Sequence, residues 1–327
     1  MKLPRRNFLH LAAGAAALPA VSRFAWAQAY PARPVRIVVG FPAGGTSDIV
    51  ARVLGQWLSE RLGQQFVIEN RPGAGSNLAT EAVARAAPDG YTLLLIGGAN
   101  TINATLFDKL NFDFLRDIAP IASVFETPLV VEVNPSVPAR TISEFITYAK
   151  GNPGKLNFAT PGVGTPPHVA GELFKMMTGI DMLHVPYRGT GPMLTDLIGG
   201  QVQVAFDPLP ASIEHIRAGK LRALAVTTAS RSEALPGIPS ASEYVPDYVA
   251  SNWYGFAAPK NTSPDIIDKL NTEINAALAD PKIKARLAEL GGTPFASSPA
   301  AFAEFVANDT AKWAKVIRAA NIKPQQG

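Results

Sequence analysis

The sequence predicts an α/β fold of two lobes, in which each lobe is a mostly parallel sheet flanked by helices and the chain crosses between the lobes twice. Short apolar runs alternate with helical segments from residue 35 to residue 226, a pattern typical of parallel sheets covered on both faces. The 327 residues are too many for one ordinary hydrophobic core. The last part of the chain, residues 263–322, is helical in period and contains no strand pattern of its own.

The first α/β unit begins immediately after Pro34. Its apolar runs are four to six residues long and rich in Val, Ile and Leu, which is typical of buried strands, and the segments between them have the period of amphipathic helices. The predicted strands are 35–39, 66–69 and 91–96, and the predicted helices are 47–62 and 78–87.

The second unit begins near residue 129 and repeats the same alternation. Its helices follow glycine- or proline-rich turns, which are frequent between strands and helices. The predicted strands are 130–133, 156–159, 182–185, 202–206 and 221–226, and the predicted helices are 143–149, 166–178 and 192–198.

A strand at 253–258 then predicts a return to the first unit. Helices follow at 265–278, 282–290 and 300–319, and we expect Ser263 to cap the first of them with Pro264 at its first helical position. Because these helices need a sheet to pack on, the first unit must share its sheet with them. The chain therefore crosses near residues 125–133 and again near 248–257.

This organisation predicts three parts of the chain: a signal segment, residues 1–29; a first lobe, residues 30–128 with 251–327; and a second lobe, residues 129–250. Two lobes joined by two crossings form a hinged clam with a cleft between them, and closure of such a hinge on a ligand is known from periplasmic binding proteins.

The N-terminal segment has the composition of an export signal. The pair Arg5-Arg6 precedes an apolar run over residues 11–21, and Ala27 and Ala29 end two possible cleavage sites. The run is far shorter than the roughly 20 residues of a membrane span, so we expect cleavage and no membrane insertion. The Arg pair followed by Phe-Leu favours the twin-arginine route, although Sec signals also begin with basic residues. Both routes end in the periplasm.

The charge of the mature chain gives no support for one class of function. The four basic residues of the signal leave with it and no acidic residue does, so Lys plus Arg falls from 30 to 26, equal to the 26 Asp plus Glu. A neutral chain gives no support for binding nucleic acid. The absence of cysteine excludes disulfides, thiol nucleophiles and cysteine-based metal sites.

Three turns after strands have residues suited to anion binding. The segment GFPAGGTSD, residues 40–48, joins the first strand to the first helix, and residues 159–168 and 187–192 do the same in the second unit. Such turns lie at the carboxyl edge of a parallel sheet, where ligands bind. Helix starts there present unpaired N–H groups and the positive end of the helix dipole. Drawn from both lobes, they predict one cleft that holds an anion without an arginine.

The predicted ligand-binding residues come mainly from these turns: Phe41, Ala43, Gly44, Gly45, Thr46, Asp48, Thr160, Gly164, Thr165, His168, Tyr187 and Asp207. Thr165 occupies the position of a helix cap.

For several residues a structural role is an equally open alternative. Asp48 either caps its own helix end or meets a cationic or hydroxyl group of the ligand, and His168 either donates to the anion or is a surface or capping histidine. Asp207 either faces the cleft or belongs to an ordinary turn before Pro208. Arg188 either pairs with a carboxylate or is solvated.

For the aromatic residues, too, a binding role and a structural role are both open. Phe41, Tyr187 and Trp253 either wall the cleft or belong to the core.

Motifs of catalysis are scarce. The sequence has no Gly-x-Ser-x-Gly elbow, no phosphate-binding loop ending in Gly-Lys-Ser/Thr and no His-Glu-x-x-His. His168 and Glu172 share a helical face, but no third metal ligand lies near them in sequence. We therefore expect a binding protein with no cofactor and no metal, and not an enzyme.

The sequence also resembles the Bug-type substrate-binding proteins of tripartite tricarboxylate transporters. The similarity covers nearly the whole mature chain and rests on residues 30–52, on ENRPGAG at 69–75, on PDGYTL at 88–93, on VPYRG at 185–189 and on AGKLRALAV at 218–226.

The resemblance implies a two-lobed, type II-like periplasmic binding protein that closes as a Venus flytrap does and delivers its ligand to membrane permease subunits. It further implies that the turns at residues 41–48 and 160–168 hold the ligand's carboxylate. Ligands of this family include dicarboxylates and tricarboxylates, acidic amino acids and aromatic acids, so the family does not identify the substrate. We expect a monomer.

Two other functions remain open. A sensory receptor for a carboxylate has the same architecture, and a periplasmic hydrolase or isomerase would use Asp48 or His168.

Overall fold

The structure is a computed structural model that describes residues 30–107, 109–319 and 321–323. The predicted export signal and its cleavage sites lie outside these residues. No helix in the described ranges is long and apolar enough to cross a bilayer.

The first sheet begins with three parallel strands: β1 (Val35–Val39), β2 (Phe66–Asn70) and β3 (Thr92–Gly97). β1 lies in the centre and pairs with the other two. The apolar side chains of β1 and β3 are buried on both faces, because helices cover this parallel sheet from both sides.

The two crossings are a pair of long antiparallel strands. β4 (Ile118–Val133) has 16 residues, and β9 (Ser251–Pro259) pairs with residues 118–128 of β4 and with β3. The short β10 (Thr293–Pro294) also pairs with β4. Residues 129–133 of β4 belong to the second sheet, so this strand joins the two sheets directly.

The second sheet continues from β4 through four more strands: β5 (Leu156–Thr160), β6 (Met182–Pro186), β7 (Val204–Pro208) and β8 (Arg222–Val226). β5, β6 and β7 are mutually parallel, and β7 and β8 run antiparallel to β4. Each sheet thus has a parallel part and meets the other at the crossing strands, as the sequence predicts.

Eleven α-helices lie in the described ranges. They are α1 (Thr46–Leu62), α2 (Asn77–Ala84), α3 (Gly98–Leu106), α4 (Phe114–Asp117), α5 (Ile142–Lys150), α6 (Pro166–Thr178), α7 (Thr190–Ile198), α8 (Leu209–Arg217), α9 (Pro264–Ala279), α10 (Pro281–Glu289) and α11 (Pro299–Ala319).

The hydrophobic core is divided between the sheets. One cluster centres on β1, β3 and α1, and another on β5, α6 and the second half of β4. α11 packs on both parts of the core: Phe302 and Val306 contact the first-sheet side, whereas Trp313 and Ile317 belong to the second-sheet cluster. Beyond β4 and β9, α11 is therefore a further connection between the two parts of the fold.

All the predicted strands and helices are present in the described chain, with ends that differ by a few residues. The sequence prediction missed α3, α4, α8, β10 and residues 118–129 of β4. Ser263 is the N-cap residue of α9 and Pro264 follows it, as predicted, but the Ser263 side chain makes no capping hydrogen bond.

Candidate functional site

A cleft of about 650 Å³, partly open to solvent, lies where helix starts from both sheets meet. Its walls come from the turn before α1, the start of α3, the turns before α6 and α7, the end of β7 and the crossing strand β9. The lining residues are Phe41, Pro42, Ala43, Gly45, Thr46, Ser47, Ala99, Pro161, Thr165, Pro166, Pro167, Gly189, Thr190, Gly191, Pro192, Pro208, Asn252 and Tyr254.

The turn before α1 lines the cleft mainly with backbone groups. Gly45 is the N-cap residue with extended backbone and without a side-chain cap, so the N–H groups of Thr46 and Ser47 at the first turn have no partner within the helix. A Cβ added at Gly45 would approach only the Pro42 carbonyl oxygen, at 3.7 Å. The absence of a side chain here leaves open the approach to the helix start.

Asp48 lies behind this turn and stabilises it. Its Oδ2 accepts hydrogen bonds from the Gly44 N–H, at 3.0 Å, and from Arg52 Nε, at 2.9 Å. Burial opposes ionisation of Asp48, but these bonds outweigh it and lower the pKa of the carboxyl. Asp48 thus neutralises its own helix end and does not line the cleft.

The turn before α6 holds Thr165 in an unexpected role. Thr165 is the N-cap residue, but its hydroxyl makes no capping bond and donates to the Gly162 carbonyl oxygen at 2.6 Å. Pro166 and Pro167 follow, and neither has an N–H. Thr165 therefore has the predicted cap position without a side-chain capping bond, and this helix start contributes mainly its dipole and an apolar wall.

The turn before α7 brings the two sides of the cleft into contact. Gly189 has a φ of +106°, and a Cβ there would lie 3.0 Å from Pro42 Cγ on the opposite side. Glycine is required both for the left-handed backbone and for this close approach. Thr190 and Gly191 begin α7 and line the cleft, with first-turn N–H groups available to a ligand.

A further helix start was not foreseen from the sequence. α3 begins at Gly98 directly after β3, and Ala99 in its first turn lines the cleft. Its cap is made by Asn100, whose Oδ1 accepts from the Gly97 N–H at 2.9 Å. With α1, α6 and α7, four helix starts surround one space.

The crossing strand β9 supplies the polar floor of the cleft. Asn252 Nδ2 donates to the Tyr254 hydroxyl at 2.6 Å, and both residues are almost fully buried. Burial raises the pKa of Tyr254, and the nearby Asp207 carboxyl raises it further, so the phenol stays protonated and can donate.

None of the lining residues within the described ranges is Asp, Glu, Lys, Arg or His. The polar groups are hydroxyls, one amide and the N–H groups of helix starts. No group of three or more His, Asp or Glu side chains among the described residues is placed to hold a metal ion.

Two stacked histidines lie behind the α6 turn. The rings of His168 and His184 are 4.2 Å apart, and His168 Nδ1 accepts from the Gly164 N–H at 3.3 Å. Burial lowers the pKa of His168 to about 4, helped by the charge of Lys175. His168 is thus neutral and buried, and it is bonded to the turn before its own helix, so a surface location is wrong. His184 Nε2 lies 2.7 Å from the Thr160 hydroxyl.

The remaining predicted residues also lie outside the lining. The Tyr187 hydroxyl donates to Asp196 at 2.7 Å, and Arg188 is exposed. Asp207 is completely buried at the end of β7, next to Pro208 of the cleft wall. Trp253 belongs to the core, where its ring meets Phe302 and Phe305 edge on.

The structure therefore brings five of the twelve predicted residues to the cleft wall: Phe41, Ala43, Gly45, Thr46 and Thr165. The other seven lie around or behind it: Gly44, Asp48, Thr160, Gly164, His168, Tyr187 and Asp207. Contact with a ligand stays a prediction for all twelve.

This geometry suits an anion. Each helix start stabilises a negative charge by about 0.3 to 1 kcal/mol, up to ~2 when partly buried, and each charge-assisted hydrogen bond adds about 1.5 to 3 kcal/mol. Proline and aromatic surfaces between the polar groups suit a short carbon skeleton.

Comparison with known proteins identifies related receptors. Residues 50–322 match the family described as "Tripartite tricarboxylate transporter family receptor". The chain is 39% identical to protein BugT of Bordetella pertussis over 300 residues, which cover 91% of this chain and 92% of BugT.

Solved structures give the same result. The Rhodopseudomonas palustris protein Rpa4515 with adipate has a TM-score of 0.88 at 37% identity, covering 90% of this chain and 99% of that protein. The periplasmic binding protein BugD gives 0.86 at 34% identity, with coverage of 90% and 100%. MatC from R. palustris with bound malate gives 0.84 at 32% identity, with coverage of 88% and 100%.

Proposed function

Because the chain belongs to the receptor family of tripartite tricarboxylate transporters, we propose that it binds a small carboxylate in the cleft and delivers it to the permease subunits of such a transporter. One observation carries this proposal: among the described residues, none of those that line the cleft has a charged side chain, yet four helix starts converge on it.

The balance of charge supports an anionic ligand over a cationic one. A cation in this space would meet the positive ends of several helix dipoles and no carboxylate in the wall. An anion gains from every helix start, and three or four charge-assisted bonds add roughly 5 to 12 kcal/mol before the cost of association, against the ~8 kcal/mol of micromolar binding. Adipate and malate, the ligands of two related structures, are both carboxylates.

Closure of two lobes is part of the same proposal. We assign residues 30–128 with 251–327 to the first lobe and 129–250 to the second, with β4 and β9 as the hinge. The contact between Pro42 and Gly189 then marks the closed position. In this account the receptor works as a monomer in the periplasm, after cleavage of a signal at residues 1–29.

A sensory receptor that passes its closed state to a signalling partner would share the cleft. The enzyme alternative has less support, since Asp48 is bonded to Arg52 and Gly44 and His168 is buried and neutral. A test with the candidate permease subunits distinguishes transport from signalling.

The direct test of ligand class is a thermal-shift screen followed by calorimetry. Adipate and malate are compared with adipamide, the uncharged diamide of adipate, and with the dication putrescine. We expect at least one carboxylate to raise the melting temperature by mass action and to bind in calorimetry, while the diamide and the diamine do not. Binding of the diamide as tightly as adipate, or of the diamine instead, would contradict the proposal.

A further inference from the structure

Two carboxyl groups lie buried together behind the cleft wall. Glu132 of β4 and Asp207 of β7 are both completely buried. The register places Asp207 opposite Val130 and Glu132 opposite Ala205. Since alternate residues of a strand point to the same face, both carboxyls lie on one face of the second sheet, diagonally across the strand pair.

The carboxyls of Glu132 and Asp207 lack, among the described residues, the hydrogen bonds that usually offset the cost of burial. None of their four oxygens has a hydrogen-bond partner in the part of the chain that the structure describes. The hydroxyl of Ser212 on α8 is fully buried, faces both carboxyls and is itself unpartnered. A buried donor and four buried acceptors are thus directed into one small polar space, and such groups are costly when unsatisfied.

Other titratable groups do not neutralise the pair. The phenol of Tyr254 on β9 is the nearest, and it is held protonated by burial. The charged groups of the surrounding elements are bonded elsewhere or exposed. Asp196 of α7 accepts from Tyr187, Asp48 of α1 pairs with Arg52, and Glu214 of α8 pairs with Arg217. Arg222 donates to the carbonyls of Val137 and Ala139, Arg231 pairs with Glu243, His215 is half-buried and Glu233 is exposed.

Two buried carboxylates side by side cannot both be ionised, because burial and mutual repulsion each favour the neutral form. Burial raises the pKa of Glu132 to about 8, and burial together with the Glu132 charge raises the pKa of Asp207 well above its usual range. A proton on each carboxyl also supplies the donors that the oxygens otherwise lack.

The pair is close to the ligand space. Asp207 precedes Pro208, which lines the cleft, and its carboxyl faces the hydroxyl of Thr190, another lining residue. Its charge also acts on the Tyr254 hydroxyl in the floor. A negative charge on Asp207 would therefore repel an anion in the cleft.

We propose that Glu132, Asp207 and Ser212 form a proton-binding site whose occupancy is coupled to anion binding in the cleft. The proposal rests on the proposed function in one respect, namely that the ligand is an anion. The neutral pair, with a proton on each carboxyl, permits the anion to bind, and loss of a proton from the pair weakens binding.

The sign of the coupling follows from linkage. A bound anion disfavours ionisation of the pair, so binding takes up protons wherever the free pair is partly ionised. Affinity is constant below the pKa of the pair and decreases as the pH rises through it. Coulomb repulsion between charges on the order of 10 Å apart predicts a decrease of roughly tenfold.

The experiment is calorimetry of adipate and malate from pH 6 to pH 9.5, in buffers with different ionisation enthalpies so that protons are counted. Both carboxyls of these acids are ionised above about pH 7, which includes the range where proton uptake is expected. For the wild-type protein we expect proton uptake on binding above pH 7.5 and roughly tenfold weaker binding at pH 9.5. The double variant Glu132→Gln/Asp207→Asn should bind without proton exchange and with an affinity that varies less than twofold. Glu214→Gln, an exposed carboxylate on α8, is the matched control and should behave as wild type.

Two results overturn the proposal: binding by the wild-type protein without proton exchange across this range, or the same pH dependence in the double variant. If the double variant does not fold, proton counting on the wild type decides alone. If neither acid binds at any pH, the proposed function is what fails; a potentiometric titration of the free protein then shows whether it holds a proton above pH 6 that the double variant lacks. Without that proton the proton-binding site is refuted as well.

Discussion

Because Glu132 on β4 is completely buried, we predict how the free energy of unfolding of the ligand-free protein changes with pH. Glu132→Gln replaces the carboxyl by an amide of nearly the same shape, which cannot ionise and which brings its own donor. The change therefore removes the ionisation of Glu132 from the folding equilibrium while the core packing stays almost unchanged. Burial is the main cause of the raised pKa of Glu132 in the folded protein, about 8 against 4.5 for an exposed glutamate.

The sign of the effect is fixed by which state holds the proton. Between these two pKa values the folded protein holds a proton that the unfolded chain has lost, so the stability contributed by this group is complete below pH 4.5 and is lost as the pH rises through 8. At 1.36 kcal/mol for each unit of pKa difference, the loss between pH 5.5 and pH 9 amounts to about 3 kcal/mol. This is a large part of the 5–15 kcal/mol that stabilises a typical protein.

The assay is urea unfolding of the ligand-free protein at pH 5.5 and pH 9, followed by tryptophan fluorescence. We expect the Glu132→Gln variant to gain about 3 kcal/mol relative to wild type between the two pH values. Glu214→Gln, exposed on α8, controls for general effects of pH and charge. If wild type and Glu132→Gln lose the same free energy of unfolding between the two pH values, Glu132 is not held protonated and the reasoning is refuted.

Three further predictions concern the cleft and the N-terminus. Gly189→Ala places a Cβ 3.0 Å from Pro42 Cγ and strains a φ of +106°, so we expect roughly tenfold weaker carboxylate binding in calorimetry, with circular dichroism unchanged; unaltered affinity would show that this contact does not limit closure. Thr165→Ala removes the 2.6 Å bond to the Gly162 carbonyl and should reduce the free energy of unfolding by about 1 kcal/mol; a loss of binding without loss of stability would instead mean direct ligand contact. N-terminal sequencing of the exported protein should begin at Gln28 or Tyr30, and recovery of Met1 would disprove the signal.

The sequence correctly predicted the strands and helices whose local residue pattern agrees with their surroundings in the fold. The central strands are continuous apolar runs, and α6 has proline at its first position and glycine after its end, so its predicted limits equal the observed Pro166–Thr178. Strands of four to six residues between glycine-rich turns could be predicted from the sequence in the same way.

Elements that depend on tertiary contacts were missed. α3 has the sequence GANTINATL, poor in strong helix formers, and is held by packing against α11 and β9. The first half of β4 contains Pro120, which argues against a strand in local terms, yet β9 pairs with it across a register shift.

The residues of the site could be predicted only in part, because their positions also depend on tertiary contacts. Glycine turns at strand ends identified the regions of α1, α6 and α7, because their position at the carboxyl edge follows from topology. Which side chains point into the space depends on rotamers and on pairing register. Glu132 is an example, since it reads as one residue of an apolar strand, and only the register with β7 reveals the acidic partner.

The central claim is that backbone groups at helix starts hold the carboxylate, and that no side-chain cation does. Calorimetric titration of adipate and malate into three variants tests it most directly. Gly45→Val adds bulk at a lining position with extended backbone, where a Cβ meets nothing closer than 3.7 Å. Gly237→Val, in a loop where a Cβ also meets nothing within 4 Å, controls for the substitution itself, and Arg188→Ala removes the exposed arginine beside the α7 turn.

The account predicts that Gly45→Val weakens carboxylate binding at least tenfold, about 1.4 kcal/mol, while Gly237→Val and Arg188→Ala stay within threefold of wild type. Loss of binding in Arg188→Ala together with full affinity in Gly45→Val would contradict it, and an arginine clamp would replace the helix starts as the anion site.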